Sequence, residues 1–250
     1  MTLSQLSGIA RSLVVYHGIP FRQRRMRRLY GQFTRPGDLV FDVGAHVGNR
    51  VRAFAALGCR VVALEPQPRV AAVLRAVCGR LSRVDVVEAA VGDAEGEASL
   101  DTSDWNPTVA TLAQGWRRAR ENDPDFAHVQ WNRRLTIRQT TLDALIARYG
   151  MPAFVKIDVE GAEPLVLKGL TRPIAALSFE YLPRALDEAR ACCARLSALG
   201  EYEFNWSAGE SYRLESPTWI DARQLMDALS AAGGGQRRSG DVYARRVTRT

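Results

Sequence analysis

Short apolar runs alternate along the chain with longer segments in which apolar residues recur every three or four positions. From Pro36 onward this alternation is regular: residues 39–43 and 60–65 predict buried strands, and residues 49–57 and 68–79 predict helices. Continuous apolar strands separated by helices are typical of a parallel sheet that is covered on both faces. The pattern therefore predicts an α/β fold.

The alternation pauses at about residue 92 and then resumes. The later predicted strands cover residues 84–91, 134–142, 153–158, 174–181, 201–207 and 241–247. The later predicted helices cover residues 141–150, 162–170, 183–199 and 221–234. Residues 92–135 between them are polar and lack a clean period, which indicates an excursion from the domain that forms a lid or a wall of an acceptor pocket.

The composition fits one large domain with a small attachment. Of 250 residues, 46% are hydrophobic, which supplies a full core, and 24% are charged, which argues against broad disorder. We expect residues 1–36 to form a helical, basic lead-in and residues 37–250 to form the main domain. The four cysteines lack metal-ligand spacing, and no apolar run approaches the roughly 20 residues that span a membrane. These features predict a soluble, cytoplasmic protein.

The lead-in contains an arginine-rich stretch, residues 21–30, and the chain carries a formal net charge of +7. The simplest interpretation is a solvated helix face whose apolar side packs on the domain. Three sharper interpretations stay open: a cap over an anionic substrate, contact with a membrane surface, or contact with nucleic acid. The net charge favours an anionic partner only weakly.

A glycine turn follows the first strand, in the sequence "FDVGAHVGN". Its spacing, Gly44-x-x-x-Gly48, matches neither the phosphate-binding P-loop nor the dinucleotide fingerprint. Asp42 stands at the mouth of the turn, where a carboxylate would repel a pyrophosphate and attract a cation. S-adenosylmethionine resolves this conflict, because it is a nucleoside with an ammonium and a sulfonium and without phosphates.

A second carboxylate supports the nucleoside hypothesis. Glu65 ends the second strand about 20 residues after the glycines, where it can accept both ribose hydroxyls, and Pro66 terminates that strand. The adenine is expected near the end of the third strand. The residues predicted there are Glu88, Ala89 and Ala90, of which the alanines leave room for a ring.

A third group of carboxylates lies after later strands. Asp158 ends the strand in "VKIDVEGAE" and Glu160 follows it. Because strand carboxyl ends meet at the ligand crevice of a parallel sheet, both are expected near the reacting end of the cofactor. The candidate general bases are Asp158, Glu160 and Glu180, with Asp158 preferred. The acids are explained without a metal, so no metal ligand is predicted.

The sequence resembles the FkbM-type family of S-adenosylmethionine-dependent methyltransferases. The matching segments are "FDVGAHVGNRVRAFAALGCRVVALEPQP", "AAVGDAEGEASL", "TTLDALI" and "FVKIDVEGAEPLVLKGL", which occur in the family's order over most of residues 38–180. The resemblance implies a class I methyltransferase (Rossmann-like) fold with a seven-stranded, mostly parallel sheet and a reversed last hairpin. It also implies methyl transfer to a hydroxyl of a sugar, a glycan or a secondary metabolite.

Residue roles follow from the resemblance by position. The cofactor loop it implies consists of Asp42, Gly44, Ala45, Gly48 and Asn49. Glu65 takes the ribose, and Asp158 and Glu160 line the reaction centre. The role of His46 within the loop is left open.

Two other functions stay open at this point. One is a nucleic-acid methyltransferase, which the basic charge suggests but which lacks an appended RNA-binding module and an "NPPY"-like motif. The other is a non-catalytic module that binds the cofactor, or a membrane surface through residues 21–30. The preferred partner is a small-molecule or glycan acceptor, and nucleic acid is not expected.

Overall fold

The computed structural model describes residues 8, 11–12, 21–121, 123–183, 185–232 and 239–247. Most of residues 1–20 of the predicted lead-in lie outside these ranges. The described part of the lead-in forms helix α1, Arg22–Tyr30.

Seven strands form the central sheet. They are β1 (Leu39–Val43), β2 (Arg60–Leu64), β3 (Val84–Val87), β7 (Phe154–Ile157), β8 (Ala176–Tyr181), β9 (Tyr202–Ala208) and β10 (Gly240–Arg246). Their order is β3-β2-β1-β7-β8-β10-β9, and only β10 runs against its neighbours. The predicted class I methyltransferase fold, with a mostly parallel sheet and a reversed last hairpin, is confirmed.

Helices cover both faces of this sheet through apolar residues, except α4, which belongs to the excursion. After α1 they are α2 (Asn49–Ala56), α3 (Pro68–Cys78), α4 (Gln114–Arg120), α5 (Leu142–Tyr149), α6 (Glu163–Lys168), α7 (Leu186–Leu199) and α8 (Ala222–Ala232). Buried residues of α1, α2 and α3 belong to one core cluster, and those of α5 to α8 belong to the other. The sheet therefore separates two cores, as its uninterrupted apolar strands require.

The predicted strand at residues 84–91 is wrong as a single element. Its first half is β3, whereas Ala90–Val91 forms a separate strand, β4, in a second sheet of order β4-β6-β5. The partners are β5 (Gly96–Thr102) and β6 (Arg133–Thr140). The chain leaves the main sheet at Glu88, whose carboxylate pairs with Arg75 of α3 instead of continuing the strand.

The excursion at residues 92–135 is folded around this small sheet. Besides β5 it contains α4 and two short 3₁₀ helices, Pro107–Val109 and Pro124–Phe126. Three aromatic rings, Trp116, Phe126 and Trp131, contact one another with centroids 5.4 to 6.3 Å apart. In the described ranges, no helix is long and apolar enough to cross a membrane.

Candidate active site

A cavity opens at the carboxyl ends of the parallel strands, where ligands bind in open α/β sheets. It encloses about 720 Å³, counting the space that is open to solvent. Eight predicted site residues line it: Gly44, Asn49, Glu65, Pro66, Ala89, Ala90, Asp158 and Glu160. Five others do not: Asp42, Ala45, Gly48, Glu88 and Glu180.

The glycine turn lets the loop after β1 pack directly on the end of β7. Gly44 has a φ of 83°, and a Cβ atom there would lie 1.8 Å from the backbone oxygen of Asp158. A side chain at this position would therefore push the two loops apart. His46, two residues on, lines the cavity, and burial lowers its pKa to about 4, so its imidazole is neutral.

Glu65 is held by the backbone on two sides. Its Oε2 atom accepts a hydrogen bond from the His46 N–H at 3.2 Å, and its Oε1 atom accepts one from the Gln67 N–H at 2.9 Å. Burial raises its pKa to about 7, against the opposing effect of these two amides. The carboxylate is thus fixed in one orientation at the cavity wall and keeps lone pairs for hydroxyl donors.

Two buried polar side chains at the turn lack partners among the described residues. The Nδ2 atom of Asn49 has no hydrogen-bond acceptor, although the residue is 2% exposed and lines the cavity. Neither oxygen of the fully buried Asp42 has a donor, and burial raises its pKa to about 6. Asp42 lies behind the cavity wall, so its contact with a ligand cation stays a prediction.

The other predicted residues outside the walls have evident structural roles. Ala45 is buried in the core shared by α1, α2 and α3. A Cβ atom on Gly48 would lie 2.5 Å from the Sγ atom of Cys78, so this glycine lets α2 pack against α3. Glu88 pairs with Arg75 at 2.9 Å on the outside of the domain. Ligand contacts for these three residues stay predictions.

Three carboxylates meet where β7 and β8 end. One carboxylate oxygen each of Asp158, Glu160 and Glu180 lies within 4.8 Å of the others, a spacing that a divalent cation could bridge. Asp158 and Glu160 follow β7, and Glu180 stands near the end of β8. The structure therefore brings together all three residues that the sequence proposed as bases.

Asp158 differs from the other two in having cationic partners. The guanidinium of Arg50 lies 3.1 Å from its Oδ2 atom, and the Nζ atom of Lys156 lies 3.5 Å from the same oxygen. Burial alone would raise the pKa of Asp158, but Lys156 and Arg50 outweigh burial and hold that pKa below its usual value. Asp158 is therefore a fixed anion.

Glu160 and Glu180 make no ion pair with a cation in the part of the chain that the structure describes. Burial raises the pKa of Glu160 well above its usual value, and the neighbouring Asp158 and Glu163 add to the rise. The pKa of Glu180 is raised well above its usual value by burial and then by Glu160 and Asp158. Burial and the neighbouring charges therefore favour the protonated forms of both residues, since close carboxylates do not all ionise readily.

Residues of the excursion line one side of the cavity. Pro107, Thr108, Ala110 and Leu112 line its outer wall, and the Nε2 atom of Gln67 donates to the backbone oxygen of Pro107 at 2.8 Å. We call residues 103–121 the lid. That this segment forms a lid or a wall of the acceptor pocket stays a prediction.

Two contacts fix the lid. The indole ring of Trp116 lies against Gly161, where a Cβ atom would come within 2.3 Å of it. The buried carboxylate of Asp101, on β5, pairs with Arg117 of α4 at 3.0 Å and with Arg134 of β6 at 2.7 Å. The first contact couples the lid to the β7 loop that carries Glu160.

The sequence matches the model of the FkbM methyltransferase domain over residues 42–218, which is more than half of the chain. The chain belongs to the FkbM methyltransferase domain family. The match begins at Asp42 of β1 and includes the glycine turn, Glu65, the lid and all three clustered carboxylates. Helix α1 lies outside it.

One curated relative is the 2-O-methyltransferase NoeI of Sinorhizobium fredii (strain NBRC 101917 / NGR234). It is 24% identical over 161 residues, which cover 62% of this chain and 66% of the relative. The aligned part thus spans just under two thirds of the relative's length.

Solved structures also resemble the chain. An O-methyltransferase from Bacillus cereus in complex with SAH has a TM-score of 0.48 at 14% identity, covering 96% of this chain and 91% of that chain. A putative O-methyltransferase from Klebsiella pneumoniae has a TM-score of 0.49 at 10% identity, covering 96% and 90%. The fold assignment rests on the strand order and the family match, because these overlaps are modest.

Three functional features of this FkbM-family chain were not predicted. Arg50 reads as an ordinary residue of α2, yet it pairs with Asp158. Lys156 pairs most closely with Asp241 on β10, at 2.8 Å, a partner that nothing in the sequence indicates. The wall residues of the lid carry no polar motif. Only the isolation of Lys156 in an apolar strand signalled that it needs a buried anion.

Proposed function

We propose that the chain is an S-adenosylmethionine-dependent O-methyltransferase that acts on a hydroxyl of a sugar, a glycan or a secondary metabolite. One observation carries the proposal: the backbone-fixed carboxylate of Glu65 shares a cavity with Asp158 and Glu160. The first of these groups suits a ribose, and the others suit a reacting hydroxyl. Membership of a methyltransferase family supports the interpretation that the ribose site and the hydroxyl site serve one methyl-transfer reaction.

The cavity residues fit the cofactor. Glu65 would accept the ribose hydroxyls, and Ala89 and Ala90, which follow β3 and lead into β4, would face the adenine. The unpartnered Nδ2 atom of Asn49 offers a hydrogen-bond donor to the amino-acid end. Bound S-adenosylmethionine would supply a methyl group carried on a sulfonium. The acceptor oxygen would bond to the methyl carbon as the carbon–sulfur bond breaks.

The chain's contribution to that reaction is positioning and proton removal. An alcohol is a weak nucleophile, so a base is needed beside the acceptor oxygen. Asp158, preferred at first, is engaged by Arg50 and Lys156, and its lowered pKa makes it a weak proton acceptor. We therefore assign proton removal to Glu160, which lines the cavity beside Glu180. Neither residue is held by a cation in the described part of the chain, and the pKa of each is raised above its usual value.

An oxygen acceptor has support from the relative named a 2-O-methyltransferase. The acceptor would enter beside the β7 loop, under the lid. Trp116 of the lid packs against Phe126 and Trp131, and this mutual packing stiffens the lid.

Calorimetric titration with S-adenosylhomocysteine tests the cofactor half. Glu65→Ala should weaken binding by about 10- to 100-fold, because hydrogen bonds to a charged group are lost. The matched control is Glu203→Ala on β9, which removes a carboxylate that pairs with Arg245 far from the cavity. Equal affinities for the two variants would refute the cofactor site.

Methyl transfer from labelled S-adenosylmethionine to a panel of saccharides, phenols, aliphatic alcohols and amines tests the reaction. Glu160→Gln should lower kcat about 100-fold with the affinity for S-adenosylhomocysteine unchanged. Full turnover by both Glu160→Gln and Glu180→Gln, together with a folded but inactive Asp158→Asn, would return the base role to Asp158. Transfer to nitrogen acceptors alone would contradict the proposed chemistry.

A further inference from the structure

Helix α1 has one face fixed to the domain. Met26, Leu29 and Tyr30 are at most 1% exposed and pack in the core shared with α2 and α3. The ring of Tyr30 lies 4.4 Å from that of Phe54 on α2. Because this side of the helix is buried, the fold determines which of its residues face outward.

The outer side of α1 carries a concentrated positive charge. Arg24, Arg25, Arg27 and Arg28 are exposed, and α1 contains no acidic residue. In the described residues, no carboxylate pairs with any of the four. Arg24 and Arg28 stand four residues apart, a spacing at which like charges destabilise a helix. We call these four side chains the arginine face.

Another arginine cluster in the chain is neutralised, which sets the arginine face apart. On α4, Arg117 pairs with Asp101 and with Glu121, and Arg120 pairs with Asp123. An Arg-rich composition alone therefore does not explain uncompensated charge. An anionic partner outside the domain would relieve the repulsion within the arginine face.

An apolar side chain adjoins this charge. The side chain of Phe21, directly before α1, is 75% exposed. An exposed aromatic ring next to basic side chains on a convex helix is the arrangement by which peripheral helices bind anionic bilayers. The helix presents no groove that would follow a nucleic-acid backbone, which favours a flat partner.

The start of α1 lies at the cavity edge of the sheet. The Nε2 atom of Gln23 donates to the backbone oxygen of Asn49 at 2.9 Å, and Asn49 lines the cavity. Arg22 is tied to Glu210, in the loop after β9, at 3.2 Å. Phe21 therefore marks the end of α1 that is nearest to the cavity mouth.

We propose that the arginine face and Phe21 bind the surface of a membrane that contains anionic lipids. The four guanidinium groups contact the headgroups, and the Phe21 ring enters the interface between headgroups and acyl chains. Binding is peripheral and reversible, weakens with rising salt, and places the cavity mouth beside the bilayer. It does not depend on the proposed methyl transfer, since neither cofactor nor acceptor takes part.

Vesicle sedimentation of the full chain tests this proposal. Vesicles of phosphatidylcholine alone are compared with vesicles that contain phosphatidylcholine and phosphatidylglycerol in equal parts. Wild type should bind the anionic vesicles and not the neutral ones. Replacing Arg24, Arg25 and Arg28 together by Gln should weaken binding about 100-fold, from roughly fivefold per basic residue near an anionic surface.

The control variant removes the same number of charges elsewhere. Its substitutions are Arg80→Gln, Arg172→Gln and Arg223→Gln, at exposed positions away from α1. It should bind anionic vesicles nearly as wild type does. Phe21→Ser should weaken binding more visibly at high salt, where the apolar contribution remains. Circular dichroism of each variant shows that the helix and the fold are retained.

Three results would overturn the proposal. Wild type that binds both vesicle types equally would show that the charge is not used. Equal losses in the arginine-face variant and the control variant would reduce the effect to net charge. Salt-sensitive binding to an RNA duplex or single strand, lost in the arginine-face variant and without vesicle binding, would assign this surface to nucleic acid instead.

Discussion

The Nζ atom of Lys156 lies 2.8 Å from the Oδ1 atom of Asp241, a residue 85 positions later in the chain. The lysine side chain is fully buried, and the aspartate side chain is 9% exposed. Lys156 also lies 3.5 Å from Asp158. The buried Lys156 thus balances two anions, Asp158 after β7 and Asp241 on β10. The charge environment of Asp158, which lines the cavity, is therefore linked to the Lys156–Asp241 pair outside the cavity.

Lys156→Met should lower the free energy of unfolding by about 3–5 kcal/mol, because Asp241 would remain as an unpaired charge in the interior. Urea unfolding followed by circular dichroism measures the change. The double variant Lys156→Met with Asp241→Leu should recover much of the loss. The control is Lys168→Met, which breaks an exposed pair with Asp93 and should cost under about 1 kcal/mol. Equal costs for the two lysines would contradict the buried-pair account.

Cofactor binding should depend on pH through Glu65. Its carboxylate form accepts hydroxyl donors, and its pKa is raised to about 7 by burial. Affinity for S-adenosylhomocysteine should therefore be about tenfold lower at about pH 6 than at about pH 8, by one-proton linkage. Glu65→Gln should remove this pH dependence. If Glu65→Gln shows the same dependence of affinity on pH as wild type, the titrating group is a residue other than Glu65.

The same group has the opposite effect on the stability of the free protein. Because the folded pKa of Glu65 lies above the usual value of 4.5, the folded state holds this proton more tightly. Its contribution to the free energy of unfolding is present below about pH 4.5 and is lost as the pH rises through about 7. The difference between wild type and Glu65→Gln in urea titrations isolates it.

The lid should loosen in Gly161→Ala, because the new Cβ atom would come within 2.3 Å of the Trp116 ring. Trypsin should then cut faster after Arg117, Arg118 or Arg120 of α4. Gly115→Ala is the matched control, since nothing lies within 4 Å of a Cβ atom there. It should leave the cleavage rate unchanged or lower it, because Ala favours a helix by about 1 kcal/mol over Gly. Unchanged cleavage in Gly161→Ala would mean that this contact does not hold the lid.

Turnover should rise with pH through the raised pKa of Glu160, since only an ionised carboxylate accepts the acceptor's proton. Glu180→Gln removes a like charge beside Glu160 and should lower the pKa of that residue. The acid limb of the pH profile of kcat should therefore move to lower pH. The acid limb of the kcat profile would be assigned to Asp158 by two results together: the limb is unchanged in Glu160→Gln, and it disappears in Asp158→Asn.

Most of the fold could be predicted because each element has its own periodicity. The break between β3 and β4 could not, because residues 84–91 fit a single strand, and the pairing of Ala90–Val91 with β6 involves residues about 50 positions later in the chain. Helix α4 was also missed. It holds three arginines and the single buried ring of Trp116, so it has no apolar stripe, and it is stabilised by Asp101 and Gly161 instead.

The sequence predicts which residues meet at the strand ends, as for Glu65, Asp158 and Glu160, which line one cavity; their functional roles stay predictions. It was not predictable where a partner is distant in sequence. Asp241 lies on the reversed strand β10, and only the insertion of that strand beside β8 brings it near Lys156. Arg50 faces Asp158 because Gly44 lets the two loops touch. Both relationships arise from tertiary packing rather than from local pattern.

The insertion of β10 between β8 and β9 gives the molecule an order of assembly. During synthesis, the residues of β7 and β8 are made long before residue 241. Until Asp241 is added, Lys156 lacks that counter-charge. The clustered carboxylates at the end of β7 take up their final electrostatic balance when the last strand closes the sheet. A chain that ends before residue 240 would lack Asp241, the closest anion to the buried Lys156, so the C-terminal strand completes the charge balance of this part of the sheet.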